Sequence, residues 1–287
     1  MCIPDQQRSW IGKAQFKDKL VSPKFYTPSS DPFSGGDNSL IHETISTTAP
    51  ADHESNQPPN VCAWVLIEGT PATCTQLGLF HLFKDRGPID LVVSGPNYGR
   101  NVTALFSLSS GTLGGAMESG TFQRKGIALS FAFWGREHEM QRIEAACRHS
   151  VKVIEHLYKQ WASDVDVYSV NVPLVDGVEQ KKVVLAPILQ NYWKSGSCFE
   201  EVLSGDGEED PAAKEKELRE GEVPAEELAE KTAEKAQPGK GRSFRWSPKF
   251  ADIQDSITQN AEESDGKAII NGLTRQVRYS LLPHWSC

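Results

Sequence analysis

The chain has 287 residues, 38% hydrophobic and 24% charged, with a formal net charge of −8, an ordinary soluble composition with room for one large α/β domain. No stretch approaches the roughly 18 apolar residues of a membrane-spanning helix, and the start, MCIPDQQRSW, is polar within five residues, so no membrane span or secretory leader is read and a cytoplasmic location is expected. Residues 200–240 carry 14 acidic and 6 basic side chains and the remainder is balanced, which argues against a broad basic face for nucleic acid.

Residues 22–60 are rich in Ser, Pro, Thr, Asp and Gly and read as a long loop with one short hairpin. An apolar β-type run, VCAWVLI, follows at 61–67 and closes at Gly69-Thr70-Pro71. Residues 72–85 then space Leu77, Phe80, Leu82 and Phe83 as a helix does. IDLVVS at 89–94 is a second strand, too uniformly apolar for a half-solvated edge, and it runs into a glycine-rich turn, GPNYGRN, at 95–101. A helix is predicted over 109–122, with serines placed to cap it.

GIALSFAF at 126–133 is a third strand, and 136–160 form a long amphipathic helix. Further strands are predicted at 165–173 and 181–189. This alternation describes a Rossmann-like parallel sheet with helices on both faces, a three-layer α/β/α arrangement. Ligands of such sheets sit beyond the carboxyl ends of the strands, which points to the loops at 95–101 and 108–112.

Residues 200–242 consist mostly of Glu, Lys, Ala, Gly and Pro. So little apolar surface cannot offset ordering at roughly 1–2 kcal/mol per residue, so a disordered acidic insertion is expected, with a transient helix over 211–235. Aromatic content returns at SFRWSPKFADI, 243–253. The expected organisation is therefore a core over 1–199, the insertion over 200–242, and the rest of the same domain over 243–287. Cys2, Cys62, Cys74, Cys147, Cys198 and Cys287 are far apart and form no CxxC, so buried reduced thiols are expected. No two histidines stand at ligand spacing, and helix-face or surface positions are expected for all of them.

Two segments carry chemistry. In DLVVSGPNYGRN, 90–101, Gly95 and Gly99 permit backbone conformations that a Cβ forbids. Asn97 can then present its amide oxygen to a hard cation. In SSGTLGGAMES, 109–119, Ser110, Gly111 and Thr112 open a helix, where backbone N–H groups, hydroxyls and the helix dipole suit a phosphate. Neither segment is a P-loop, because no Lys follows the glycines.

In this order the two segments resemble the SurE family of metal-dependent phosphatases and 5′-nucleotidases. The family's central motif reads D-L-V-V-S-G-x-N-x-G-x-N, then S-G-T and small residues ending in M-E; here these are Asp90 to Asn101, Ser110 to Thr112, and Ala116-Met117-Glu118. GTPAT at 69–73 is similar to its G-T-P-x-D, with Thr73 where an Asp is usual, VNVP at 170–173 to its strand end, and PDQQRS at 4–9 to P-D-x-N-R-S. The resemblance covers roughly 1–200 and extends to 243–265, and it implies a phosphomonoesterase acting on nucleoside monophosphates with magnesium or manganese. It implies Ser9 and Asn97 on the metal, and Gly95, Asn101, Ser110, Gly111 and Thr112 around the phosphate. It also implies a tendency to form homodimers.

One departure matters. The family opens with a strand ending in N-D-D-G, whose aspartates hold the metal, and this chain has no Asp-Asp pair. Some 30–40 residues of relatives are expected to be missing ahead of Met1, and the 271–287 segment keeps only faint similarity to the family's G-x-T-S-V-T-P-L. Some eukaryotic relatives continue into a tubulin–tyrosine-ligase-like domain, which is not present in this sequence. The alternative expectation is therefore a catalytically impaired binding or scaffold protein.

Overall fold

The computed structural model describes residues 1–26, 45–46, 64–133, 139–202, 242–260 and 262–281. In chain order it begins with β1 (Cys2–Pro4), β2 (Lys24–Tyr26), β3 (Ile45–Ser46), β4 (Trp64–Ile67) and α1 (Pro71–Leu77). The middle holds β5 (Leu91–Tyr98), α2 (Thr103–Ser109), α3 (Gly111–Thr121), β6 (Lys125–Ala132), α4 (Met140–Lys159) and β7 (Val167–Pro173). The remainder is β8 (Val183–Leu185), β9 (Phe199–Val202), β10 (Ser243–Trp246), α5 (Ala251–Gln259), α6 (Asp265–Ile270) and β11 (Thr274–Tyr279).

The main sheet has the order β5-β6-β7-β11-β8. β5, β6 and β7 run parallel, while β11 is antiparallel to β7 and parallel to β8. β7 is buried along its whole length, as a parallel strand covered on both faces should be. One cover is α4, whose buried Ala146, Val153 and Leu157 pack with Ile127, Leu129, Val170 and Val172 of the sheet. Its opposite face carries Arg142 and Arg148, which reach Asp176 and Glu179 at the surface. The other cover is α3, where Leu113 and Ala116 meet Ala128 and Val167.

A smaller sheet, ordered β1-β4-β2-β3, stands apart. β1 is parallel to β4, and β2 is antiparallel to both β4 and β3. α1 follows β4 and packs on α3, joining the two sheets through helices. Thr70 caps α1 by accepting from the Thr73 N–H, and Pro71 fills the first helical position, where a missing N–H costs nothing.

Several expectations need correction. The hairpin foreseen in 22–60 corresponds to the paired β2 and β3, but the helix expected over 72–85 ends at Leu77 and continues as single turns over 78–82 and 84–86. The single helix expected over 109–122 is preceded by another, α2. The strand expected at 89–94 extends to Tyr98 and lies at a sheet edge, with Val93 40% exposed. Cys74 is buried as expected, but Cys147 is exposed because it lies on the solvent side of α4. His149 stands on a helix face, as expected, and that face of α4 is buried, with Nε2 3.0 Å from Thr274 Oγ1. β11, which shows no sequence signal strong enough to predict it, is inserted between β7 and β8. Phe250 and Ile253 do return to a core, packing with Val102 and Phe106. Of the insertion expected over 200–242, residues 200–202 belong to β9 and Arg242 pairs with Glu201, while 203–241 lie outside the described residues.

Candidate phosphate-binding cleft

A cleft of about 720 Å³ opens between β1 and β5. Ser9, Gly95, Asn97, Asn101, Ser110, Gly111 and Thr112 all line it. Three separate segments thus meet at one place, the carboxyl ends of β1 and β5 and the start of α3.

The β5 side depends on backbone shape. Gly95 has φ +121°, and a Cβ there would lie 2.2 Å from the Leu129 carbonyl oxygen. The pairing with β6 shifts register between Ser94 and Asn97, which turns the chain toward the cleft. Asn97 Nδ2 donates to the Gly99 carbonyl at 3.1 Å, so its carbonyl oxygen is the atom left for a ligand.

Asn101 is anchored more tightly. Its N–H donates to Asn171 Oδ1 at 2.8 Å and its Nδ2 donates to Ser130 Oγ at 2.7 Å. Its carbonyl accepts from Arg275 Nη2 at 2.7 Å. These bonds commit Asn101 to holding the loop at the cleft floor. Two residues later Thr103 sits at φ +67°, a conformation that costs of order 1–3 kcal/mol for a non-glycine. Asp265 Oδ2 holds it there by accepting the Thr103 N–H at 2.7 Å, while Oδ1 accepts from Leu189 and Gly266. Asp265 and Arg275 are both fully buried, 3.5 Å apart. Burial lowers the Arg275 pKa, and Asp265 opposes the shift.

On the helix side, Ser110 Oγ accepts the Leu113 N–H at 3.1 Å and caps α3. The N–H groups of Gly111 and Thr112 belong to the first turn, where no helical carbonyl is available to them. Two such N–H groups beside a hydroxyl form an anion site. Gly111 is required by close approach, since a Cβ would fall 2.9 Å from Ile11 Cγ2 and 3.2 Å from Pro71 Cγ. That contact seats the Asp5–Gly12 loop on the helix start, together with the Gly12 N–H donating to the Ser109 carbonyl at 2.8 Å. Ser9 lies in this loop, where its Oγ accepts from Gln7 Nε2 at 3.5 Å.

Sequence reasoning missed several lining residues. Asp5 Oδ1 is buried without a hydrogen-bond partner, 3.7 Å from Arg8 Nη2. Arg8 Nε donates to the Gly69 carbonyl at 3.2 Å, and Arg100 lies over the Phe106 ring. Trp10 packs at the cleft against Phe106, Trp246 and Phe250. Asp5 and Arg8 stand inside the quoted PDQQRS segment, so the signal was present; Asp265 and Arg275 had none.

The cleft donors do not make a site for a divalent cation. Asp5 is the only carboxylate among the described residues that line it, and no group of three or more His, Cys, Asp or Glu side chains comes together among the described residues. Ser9 and Asn97 add neutral oxygens, whereas magnesium and manganese select carboxylate-rich oxygen sets.

Comparison with known proteins agrees with this architecture. The family model described as "Survival protein SurE" matches residues 1–195. A "Probable tubulin--tyrosine ligase PBY1" of Saccharomyces cerevisiae is 34% identical over 283 residues, covering 92% of this chain and 33% of that protein. The 5′-nucleotidase SurE of Ruegeria pomeroyi is 41% identical over 119 residues, covering 40% of this chain and 45% of that protein. The chain therefore spans a third to a half of the length of these curated relatives. The crystal structure of the SurE protein from Aquifex aeolicus superposes with a TM-score of 0.55 at 19% identity, over 98% of this chain and 82% of that one, which supports the three-layer α/β/α fold. With a cleft assembled from the same segments that the family motif spells, and a family model spanning two thirds of its residues, the chain belongs to the SurE family.

Proposed function

We propose that the cleft binds the phosphate of a nucleoside monophosphate and serves a phosphomonoesterase. The observation that carries the reading is the convergence of Asn97, Ser9 and the Ser110–Thr112 helix start on one cleft. The Gly111 and Thr112 N–H groups and the Ser110 and Thr112 hydroxyls hold phosphoryl oxygens, with the helix dipole behind them. Arg8 and Arg100 line the same cleft and make it favourable for an anion. Asn101 shapes the loop from below. Ser9 and Asn97 are the neutral oxygens offered to magnesium or manganese, whose carboxylate ligands are not supplied by the cleft. The 5′-nucleotidase names of the bacterial relatives support the nucleotide class.

The test is calorimetric titration of the chain with inorganic phosphate and with AMP. The Ser110→Ala, Thr112→Val double variant should lose at least tenfold in affinity for both. Unchanged affinity would refute the site. A second reading, a phosphate-binding protein without turnover, is favoured by Asp5 being the single carboxylate among the described residues that line the cleft. Release of phosphate from AMP with manganese present would support the first reading. Binding without release would support the second.

A further inference from the structure

One stretch of the cleft wall carries two cysteines, Cys2 on β1 and Cys74 on α1. β1 pairs with β4 alone, with Cys2 opposite Val65, and α1 is the helix that follows β4. A single strand pairing thus brings together two thiols that lie far apart in sequence. Cys2 packs against the small apolar cluster of Val65, Ile67 and Cys74.

The helix fixes their approach. The Gly78 N–H donates to the Cys74 carbonyl, so the two residues stand one turn apart on the same face. A Cβ at Gly78 would lie 3.8 Å from the Cys2 Cβ, which places the Cys2 side chain against that face. The Cys74 S–H donates to Cys2 Sγ, so the two sulfurs are already in contact. Pro71, at the start of the same helix, is the residue packed beside Gly111. The thiol pair therefore lies about one turn along α1 from the phosphate end of the cleft.

The two thiols are unequal. The hydrogen bond from Cys74 lowers the Cys2 pKa, with burial opposing the shift, whereas the same bond and burial push Cys74 up. Cys147 and Cys198 are both raised, chiefly by burial. Among the described cysteines Cys2 alone has its thiolate favoured, and the thiolate is the form that attacks. Cys2 is half-buried at the cleft opening, where a small oxidant can reach it, while Cys74 is 5% exposed. An accessible thiolate with a buried thiol in contact is the arrangement of a reactive and a resolving cysteine.

We infer that Cys2 and Cys74 form a peroxide-reactive dithiol that closes to a disulfide and ties β1 to α1. The Cys2 thiolate attacks one oxygen of hydrogen peroxide and displaces hydroxide, leaving a sulfenic acid on Cys2. The Cys74 thiol then attacks that sulfur, the S–O bond breaks, and the oxygen leaves as water with the Cys74 proton. In sum the two thiols lose two electrons and two protons, and one hydrogen peroxide becomes two waters. The link holds a strand of three residues that is paired on one side only. It does not depend on the phosphomonoesterase reading.

The experiment treats the full, freshly reduced chain with hydrogen peroxide, blocks the remaining thiols with iodoacetamide, and maps the digest by mass spectrometry without reductant. The expected product is a peptide linking Cys2 to Cys74 within one chain, formed at least tenfold faster than oxidation at Cys147 or Cys198 and reversed by dithiothreitol. Cys74→Ser should leave Cys2 as a sulfenic acid that dimedone captures, and Cys2→Ser should leave Cys74 unoxidised. The urea midpoint of the oxidised chain should exceed that of the reduced chain, and the two should coincide in either variant. Linkage of Cys2 to any other cysteine, oxidation of Cys2 no faster than that of Cys147, or an unchanged midpoint once the link has formed would each overturn the inference. Phosphate and AMP enter none of these readouts, so failure of the proposed function leaves the dithiol standing.

Discussion

The buried Asp265–Arg275 pair offers an asymmetry that can be measured. Asp265 accepts three backbone N–H groups, from Thr103, Leu189 and Gly266, and stands 3.5 Å from Arg275. Asp265→Asn turns one oxygen into a donor, so at least one of these N–H groups loses its acceptor and Arg275 is left as a buried charge without a counter-ion. A lost hydrogen bond to a charged group costs about 1.5–3 kcal/mol, and breaking a buried ion pair on one side costs about 3–5 kcal/mol. The expected loss is therefore about 3–5 kcal/mol, with the strained Thr103 and the Asn101 loop released. Arg275→Met differs. Arg275 makes a 2.7 Å bond to the Asn101 carbonyl, but its Nε and Nη1 are buried without partners. Removing it relieves that desolvation, and Asp265 keeps its three backbone donors. Methionine fills much of the volume, so the expected loss is only about 1–2 kcal/mol. Urea unfolding followed by tryptophan fluorescence compares the two through the midpoint and slope. If Arg275→Met costs as much as Asp265→Asn, or more, the assignment of the carboxylate as the organising partner is wrong.

Three other outcomes are expected. Gly111→Ala forces a methyl group to within 2.9 Å of Ile11; it should cost about 1–3 kcal/mol by overpacking and weaken phosphate binding at least tenfold in a titration, as the Asp5–Gly12 loop shifts. His149 is buried, and burial lowers its pKa from 6.5, with Lys152 adding to the shift and Glu179 opposing it. A base whose folded pKa is depressed contributes stability that is present above 6.5 and is lost as pH falls toward the folded value. Unfolding curves at pH 7 and pH 5 should therefore diverge less for His149→Gln than for the parent, and an unchanged divergence would contradict this. Arg142→Ala removes the exposed pair with Asp176 and should leave the urea midpoint essentially unchanged, because solvent screens such a pair.

The core of this protein was written locally. The apolar runs at 126–133 and 165–173 became β6 and β7, because a parallel strand buried on both faces needs little beyond its own side chains to declare itself. The helix starts at Thr70 and Ser110 were equally readable, since caps act within three residues. The candidate residues were named from a motif, and their meeting in one cleft follows from strands that end at the same side of the fold.

What the sequence alone determined, then, is what acts over a few residues: apolar periodicity, caps, glycines and the family motif. Only the tertiary structure decided the rest. It inserted β11 between β7 and β8, which places Arg275 beneath Asn101, 174 positions away in sequence. Among the described residues it made Asp5 the single cleft carboxylate and left β5 at an edge, although its composition reads as a central strand. The physical reason is the same in each case. Long-range pairing and the net charge of a cleft depend on which segments close around it, and no local pattern records that.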